Sequence, residues 1–465
     1  MMIRIRSLPL ALALAIGTSA SAHADDLLQV YQEARASDPT LSGAEATKLA
    51  TDENVDQARA QLLPQIAASL DFTRARGGDN GNTFVNVPTP IDPNATIEVN
   101  GITRTDYTRS MGAQLNQSIL DISRWTALKS SRYTAQAGAA TYDAAQQALL
   151  VRAATAYFNV LSALDALKFA DANEKALGRQ LEQAQQRFEV GLAAITDVND
   201  AKAQHDQAVA SVISNQNTVD QTREAVRQLT NKEPGDFRKL REDLPLDHPT
   251  PDDPAAWVDV ALKNNPNLSS AAFQVDAANE NINSARAGHL PTISAQVGYS
   301  RAPQWGDARY GGINDSFHNS TDPKWGSSIS LVLNVPIFSG GFTQSRVRQA
   351  IYNRDFTQDQ YEYNRRLVEA TTRNDFRSVV AGASEVQATK AAVVSAQSSV
   401  EATQAGYEVG TRTIVDVLIS QQTLLQAQSS YSAARHTFVL NGLLLKQAAG
   451  VIEVKDIEAI NALLE

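Results

Sequence analysis

The chain is written twice. Pro39 and Pro64 recur as Pro266 and Pro291, both 227 positions on, and Leu41, Arg59, Leu63 and Ile66 recur as Leu268, Arg286, Leu290 and Ile293 at the same distance. Further along, Asn116, Ile119 and Phe158 match Asn334, Ile337 and Phe376 at an offset of 218, and Glu189-Val190-Gly191 and Asp197-Val198 match Glu408-Val409-Gly410 and Asp416-Val417 at 219. A near-constant offset over several stretches marks an internal duplication, with its two small drifts confined to loops and a turn. Any fold proposed for one half must therefore serve for the other.

Within each half the periodicity changes in one fixed order. Helical patterns come first, from Asp25 to Leu63 and from Pro254 to Leu290, with helix-start signals at Ser37-Asp38-Pro39 and Asn264-Asn265-Pro266. Strict alternation follows. Ile66, Ala68, Leu70 and Phe72 alternate with Gln65, Ala67, Ser69 and Asp71, as Ile293, Ala295, Val297 and Tyr299 do with their neighbours. After polar loops (76 to 106 and 302 to 324), Tyr107, Met111, Leu115 and Ile119 alternate in the first half, and Ile329, Leu331, Leu333, Val335 and Ile337 in the second. The pattern predicts four strands of about ten to twelve residues, arranged as two hairpins. That length suits a soluble sandwich or a transmembrane barrel, but four strands cannot close a barrel alone, so a membrane reading requires several chains to pool their hairpins.

Each second strand runs into a long proline-free stretch, because no Pro lies between Pro93 and Pro234 or after Pro336. From Ile122 to Glu189 the first such helix would reach ~100 Å. Val160, Leu167, Glu174, Leu181 and Phe188 fall at steps of seven, as do Val379, Val386, Val393, Val400 and Tyr407, which predicts coiled-coil packing. Both helices end at the same kind of turn, with Gly191 or Gly410 suited to a left-handed cap, and a returning helix follows each.

Arg4 and Arg6 before the apolar run Leu8 to Ile16, then small residues and Ala22-His23-Ala24, read as a secretory signal over 1–24. The formal charge of −10 argues against nucleic acid as a partner, and zero cysteines exclude disulfides and thiolate metal sites. No later stretch is long and apolar enough for a transmembrane helix; the best, Phe438 to Ile452, is broken by Asn441, Gly442 and Lys446. Reaction chemistry is sparse. The histidines are dispersed without ligand spacing, there is no phosphate-binding G-x-x-x-x-G-K-[ST] loop and no G-x-S-x-G elbow, and Asp252-Asp253 sits among prolines as a solvated linker. The sequence thus calls for no catalytic residue, no metal and no cofactor.

The stretches Phe188-Glu-Val-Gly-Leu-Ala-Ala-Ile-Thr-Asp197, Tyr407-Glu-Val-Gly-Thr-Arg-Thr-Ile-Val-Asp-Val-Leu418 and Asn334-Val-Pro-Ile-Phe-Ser-Gly-Gly341 resemble the TolC family of outer-membrane channel proteins, and the resemblance covers essentially the whole mature chain. It implies an α+β membrane protein: a trimeric 12-stranded transmembrane β-barrel, four strands per chain, continued by a 12-helix periplasmic α-barrel of coiled-coil helices. The implied division is a first repeat over 25–230 (β-hairpin 64–119, helical hairpin 121–230) and a second over 256–450 (β-hairpin 291–338, helical hairpin 342–449). Residues 231–255 and 451–465 would form an equatorial belt. The implied role is an outer-membrane exit duct for efflux or type I secretion, working as a homotrimer with a periplasmic adaptor and an inner-membrane transporter of ABC or RND type. A periplasm-spanning structural coiled coil or adhesin is the alternative.

The tips carry the candidate sites. Val190, Gly191, Leu192, Val409, Gly410 and Thr411 present small residues where adaptor hairpins would pack. The resemblance makes Thr196, Asp197, Tyr407 and Arg412 links that hold the periplasmic entrance closed, and at Ile419 this chain departs from a second ring aspartate of the family. Asp197 and Asp416 open the returning helices, where either of two roles is open to them: helix capping, or a ring of carboxylates at the mouth.

Overall fold

The computed structural model describes residues 25–86, 89–311 and 316–465, so the signal segment expected at 1–24 lies outside the described residues. In chain order the elements are α1 (Leu27–Ser37), α2 (Pro39–Ala60), β1 (Gln65–Asn86), β2 (Thr96–Leu120), α3 (Ile122–Glu189) and α4 (Ile195–Thr230). Then come α5 (Pro254–Asn264), α6 (Pro266–Ala287), β3 (Thr292–Arg301), β4 (Gln304–Tyr310), β5 (Ser316–Thr321), β6 (Gly326–Asn334), α7 (Phe342–Glu408), α8 (Ile414–Ala448) and α9 (Val454–Asn461). The helix starts follow the sequence logic. Asp26 accepts from the Gln29 N–H at 2.8 Å and Asp253 from the Ala255 N–H at 2.9 Å, while Pro39 and Pro266 open the next helices with a residue that needs no amide partner.

The chain divides into two compact units. One comprises Ala46–Thr141 and Asn267–Asn364 and contains the sheet, an antiparallel array in which β2 pairs with β1 on one edge and with β3 and β4 on the other. β3 and β4 form one column interrupted at Ala302-Pro303, where proline has no N–H to give the ladder but its carbonyl still accepts from the Arg109 N–H at 3.0 Å. β6 and β5 form the next column, paired to β3 and β4. Among the described residues the sheet has two unpaired edges, along β1 and along β5 and β6.

The expected strand lengths need correction. β1 has 22 residues and β2 has 25, and the stretches expected as polar loops at 76–106 and 302–324 are largely strand. Apolar alternation ends near Phe72 because it reports only the span that must hide one face. The backbone ladder needs no such alternation, and a hairpin whose partner strand is close continues pairing with water on both faces.

The other unit, comprising residues up to Glu45, Tyr142–Pro266 and Arg365–Glu465, holds the aliphatic and aromatic core. Tyr157 and Phe158 of α3 are fully buried, packed edge-on to one another and, through Tyr157, against Phe237. Truncating either to alanine would cost ~3–5 kcal/mol. The Tyr157 hydroxyl donates to the Arg238 carbonyl at 2.8 Å, which ties the irregular segment after α4 to α3, and burial pushes its pKa well up. The same segment forms single bridges from Phe237 to Asp25 and from Leu240 to Leu464. Arg435 of α8, buried, donates to the Leu240 carbonyl at 2.7 Å.

Candidate functional site

The sheet register sorts side chains by parity. Ile66, Leu70 and Phe72 share a face with Met111 and Leu115, Val297 and Tyr299, and Ile329, Leu331 and Leu333. The opposite face carries Gln65, Ser69, Asp71, Gln114, Asn116, Gln296, Ser328 and Ser330. In the single chain the apolar face is bare: Ile66 is 74% exposed, Leu70 72% and Ile329 83%. A contiguous apolar face of this kind, with polar residues behind it, is the pattern of strands between lipid and a wet interior. At its loop-proximal end Phe72, Tyr107 and Trp305 cluster with ring centroids 5.8 to 6.2 Å apart, and Tyr299 stacks on Trp325 at 4.9 Å, the position of an interfacial aromatic girdle. The girdle escapes a reading of the sequence because Trp305 falls in the stretch read as loop (302–324) and Trp325 stands just past its end, before the alternation that begins at Ile329. No helix among the described residues is long and apolar enough to cross a membrane.

The helix tips are built by one backbone device used twice. The Leu192 N–H donates to the Arg187 carbonyl at 2.7 Å and the Gly191 N–H to Phe188 at 2.9 Å; in the second tip Thr411 reaches Gly406 at 2.8 Å and Gly410 reaches Tyr407 at 3.1 Å. These are Schellman closures, and they require the positive φ that Gly191 (77°) and Gly410 (79°) adopt. The closures push Val190, Leu192 and Val409 outward, 69 to 76% exposed, with Thr411 exposed beside them.

Chemically the two tips differ. Thr413 stands at the cap of α8 and forms a capping box with Asp416: the carboxylate accepts from the Thr413 N–H at 2.9 Å, and the Thr413 hydroxyl accepts from the Asp416 N–H at 3.2 Å. The Thr413 backbone and hydroxyl bonds, with Arg412 nearby, hold the Asp416 carboxyl below the usual carboxylate range. In the first tip the equivalent cap is Ala194, which has no side-chain acceptor, and Asp197 makes no side-chain cap. Capping is thus the role of one of the two equivalent aspartates.

Tyr407 is buried among Leu177, Ala208, Ile414, Val417 and Leu418, and the Arg187 guanidinium of the first tip lies over its ring at 4.9 Å. Thr196 and Arg412 are exposed. Among the described residues no hydrogen bond or ion pair joins Arg412 or Tyr407 to Thr196 or Asp197 within one chain, and Ile419 is exposed on α8. The contact of Arg187 with Tyr407 was not anticipated, since nothing in the spacing of a lone arginine names the ring it will cover. Among the described residues no group of three or more metal-ligating side chains comes together.

A sheet with one lipid-compatible face, joined to long helical hairpins with glycine-closed tips, defines an outer-membrane channel component. The chain belongs to the outer membrane efflux protein family, which it matches over residues 30–232 and 257–451. It is 38% identical to the outer membrane protein TolC of Escherichia coli (strain K12), covering 96% of this chain and 86% of that protein. It is 26% identical to the alkaline protease secretion protein AprF of Pseudomonas aeruginosa, covering 95% and 88% respectively. Its fold is shared with the crystal structure of the outer membrane protein VceC of Vibrio cholerae, with a TM-score of 0.70 at 17% identity over 91% of this chain and 96% of that one. It is an outer-membrane exit duct of the TolC type, and the family's role is transport.

Proposed function

We propose that three copies of this chain pool their sheets into one 12-stranded barrel and their hairpins into one periplasmic tunnel. The duct so formed would serve tripartite efflux, type I secretion or both. The observation that carries this is the sheet itself, whose bare apolar face needs lipid and whose two unpaired edges need other strands. The repeats 25–230 and 256–450 then face one another around the ring, and residues 231–255 and 451–465 belt it, a role favoured by the bridge between Leu240 and Leu464. A periplasmic adaptor would dock on the exposed tip residues and connect the duct to an inner-membrane ABC or RND-type transporter. The chain carries no reaction of its own. The secretion arm rests on likeness to AprF, the efflux arm on the family.

At the tunnel mouth Asp416 is engaged with its own cap, whereas Asp197, Thr196 and Arg412 are not so engaged. The gate is therefore a set of links between tips, with Arg412 the cation and Asp197 the anion, supported by Thr196 and by Tyr407 as a packed hinge. Each exposed link is worth only ~0–1 kcal/mol, but three around a ring, acting together, hold the open state at the per cent level.

Two measurements test the reading. Mass determination in detergent should give a trimer; a stable monomer would refute the pooled barrel. Arg412→Ser with Tyr407→Phe should raise resting single-channel conductance several-fold at unchanged trimer yield, and wild-type conductance in that variant would place the gate elsewhere.

A further inference from the structure

From the level of Leu70 outward the two faces of the sheet carry opposite charge. The register puts Arg74, Arg76, Arg109, Arg301 and Arg309 on the face of Ile66 and Leu70, together with Asp307 and His318. The inward face over the same span carries Asp71, Asp79 and Asp106 against Arg104, which lies 3.6 Å from Asp106. An excess of arginine on the outer face of a chain with a net charge of −10 is a local concentration of cations, not a reflection of composition.

The anions within reach do not neutralise it. Asp307 is engaged by His318 at 2.5 Å, and Asp322 holds Arg301 with both oxygens at 2.7 Å. Arg74 lies over the Tyr107 ring at 5.6 Å, a contact that leaves its guanidinium charge uncompensated. Arg76, Arg109 and Arg309 are exposed and form no ion pair among the described residues. Arg109 stands across from Phe72 in the ladder, at the level of the aromatic cluster, while Arg76 lies four residues further, ~13 Å along the strand. Apart from Arg301, which stands at the level of Met111 and Leu70 and is held by Asp322, the cations begin where the apolar band ends and rise from it.

We infer that this face binds the phosphate groups of anionic lipid headgroups in the leaflet that the aromatic girdle meets. Guanidinium groups match phosphate bidentately, stay charged at any pH the cell meets, and can lay their stems along a ring while the head reaches the interface. The occupant is lipid because the same face is continuous with the apolar band, so a molecule held there has its acyl chains on Leu70 and Phe72, at the end of that band, and its phosphates on Arg74, Arg76, Arg109 and Arg309. This rests on the reading of that face as the lipid face.

The test uses the full chain purified as its detergent-solubilised assembly. Bound copies of bisphosphorylated lipid A, of the same lipid after enzymatic dephosphorylation, and of phosphatidylcholine are counted by native mass spectrometry. The phosphorylated form should be retained about ten-fold better than the dephosphorylated one. Arg74→Gln, Arg76→Gln, Arg109→Gln and Arg309→Gln together should abolish that preference and leave phosphatidylcholine uptake unchanged, whereas Arg104→Gln on the inner face should keep it. Equal retention of the two lipid A forms by the unaltered protein, or an undiminished preference in the four-fold variant, overturns the inference. Should the four-fold variant not assemble, Arg76→Gln with Arg309→Gln must still reduce the preference about three-fold or the inference falls. Displacement of the lipid by inorganic phosphate alone would show a site for free anions and overturn the lipid as occupant. Failure to retain any lipid, phosphatidylcholine included, would overturn the membrane reading of the face and this inference with it.

Discussion

At the scale of the residue, the most consequential group outside the tips is His436. It lies buried on α8, its Nδ1 2.8 Å from the Ser162 hydroxyl and its ring against Phe158, with Arg435 beside it and Asp165 of α3 close by, the latter held by Ser432 at 2.5 Å. Burial pushes its pKa down to about 4, against the upward pull of Asp165 and with that of Arg435. Because the unfolded chain takes up a proton near pH 6.5 and the folded one does not, stability is fully present above that pH. It is lost as pH falls from 6.5 towards 4, by about 3 kcal/mol per chain at most. Thermal unfolding should show this decline in the wild type and a flatter profile for His436→Gln between pH 7 and 4; parallel profiles would mean that the ring is already charged in the fold. The sequence shows His436 only as one of several dispersed histidines, since burial of a side chain depends on the segment that packs against it, here α3 through Phe158 and Ser162. By contrast Gly191 and Gly410 are legible as caps, because positive φ is a local demand that few other residues meet.

At the scale of the element, the heptads were readable in period and only partly in register. In α7 the seam at Val379, Val386 and Tyr407 is buried, as its spacing suggests, and Val393 and Val400 are half-buried. In α3 the expected seam is buried at Val160 and half-buried at Leu167, Glu174 and Leu181, but Phe188 is 42% exposed, and the unbroken run of buried steps of seven is Ala163, Ala170, Leu177 and Ala184. A helix with a neighbour on each side needs two seams, and large residues at one seam attract attention that alanines at the other do not. The strands show the same bias, for hydrophobic alternation marks the span that meets lipid and is silent about the ladder beyond it. The tips can be tested as elements. Gly410→Arg should abolish export at unchanged trimer yield, whereas Gly410→Ala, which carries the same backbone penalty of ~1 kcal/mol without the bulk, should retain most of it. Loss of export in both would assign the effect to the turn and not to docking.

At the scale of the whole molecule, the duplication and the hairpins were legible because a repeat is a property of sequence alone, whereas the sidedness of charge on the sheet was not, because it depends on which residues the ladder sets side by side. The two unpaired edges of that sheet also dictate how a ring of copies comes into being. A pair of chains joins one edge to another and makes a single seam; adding the third makes two seams at once and leaves no edge behind. The last step therefore gains about twice as much as the first, and the half-built species is drained towards its product. Refolding into detergent should accordingly pass from monomer to trimer with no dimer accumulating on native gels and with a rate that rises more steeply than the first power of protein concentration. A long-lived dimer would show that a single seam suffices. The same arithmetic makes the ring vulnerable to poisoning: one chain with a blocked β1 edge disables two sound partners, so a minority of such chains mixed into a wild-type population should suppress channel formation well beyond their share.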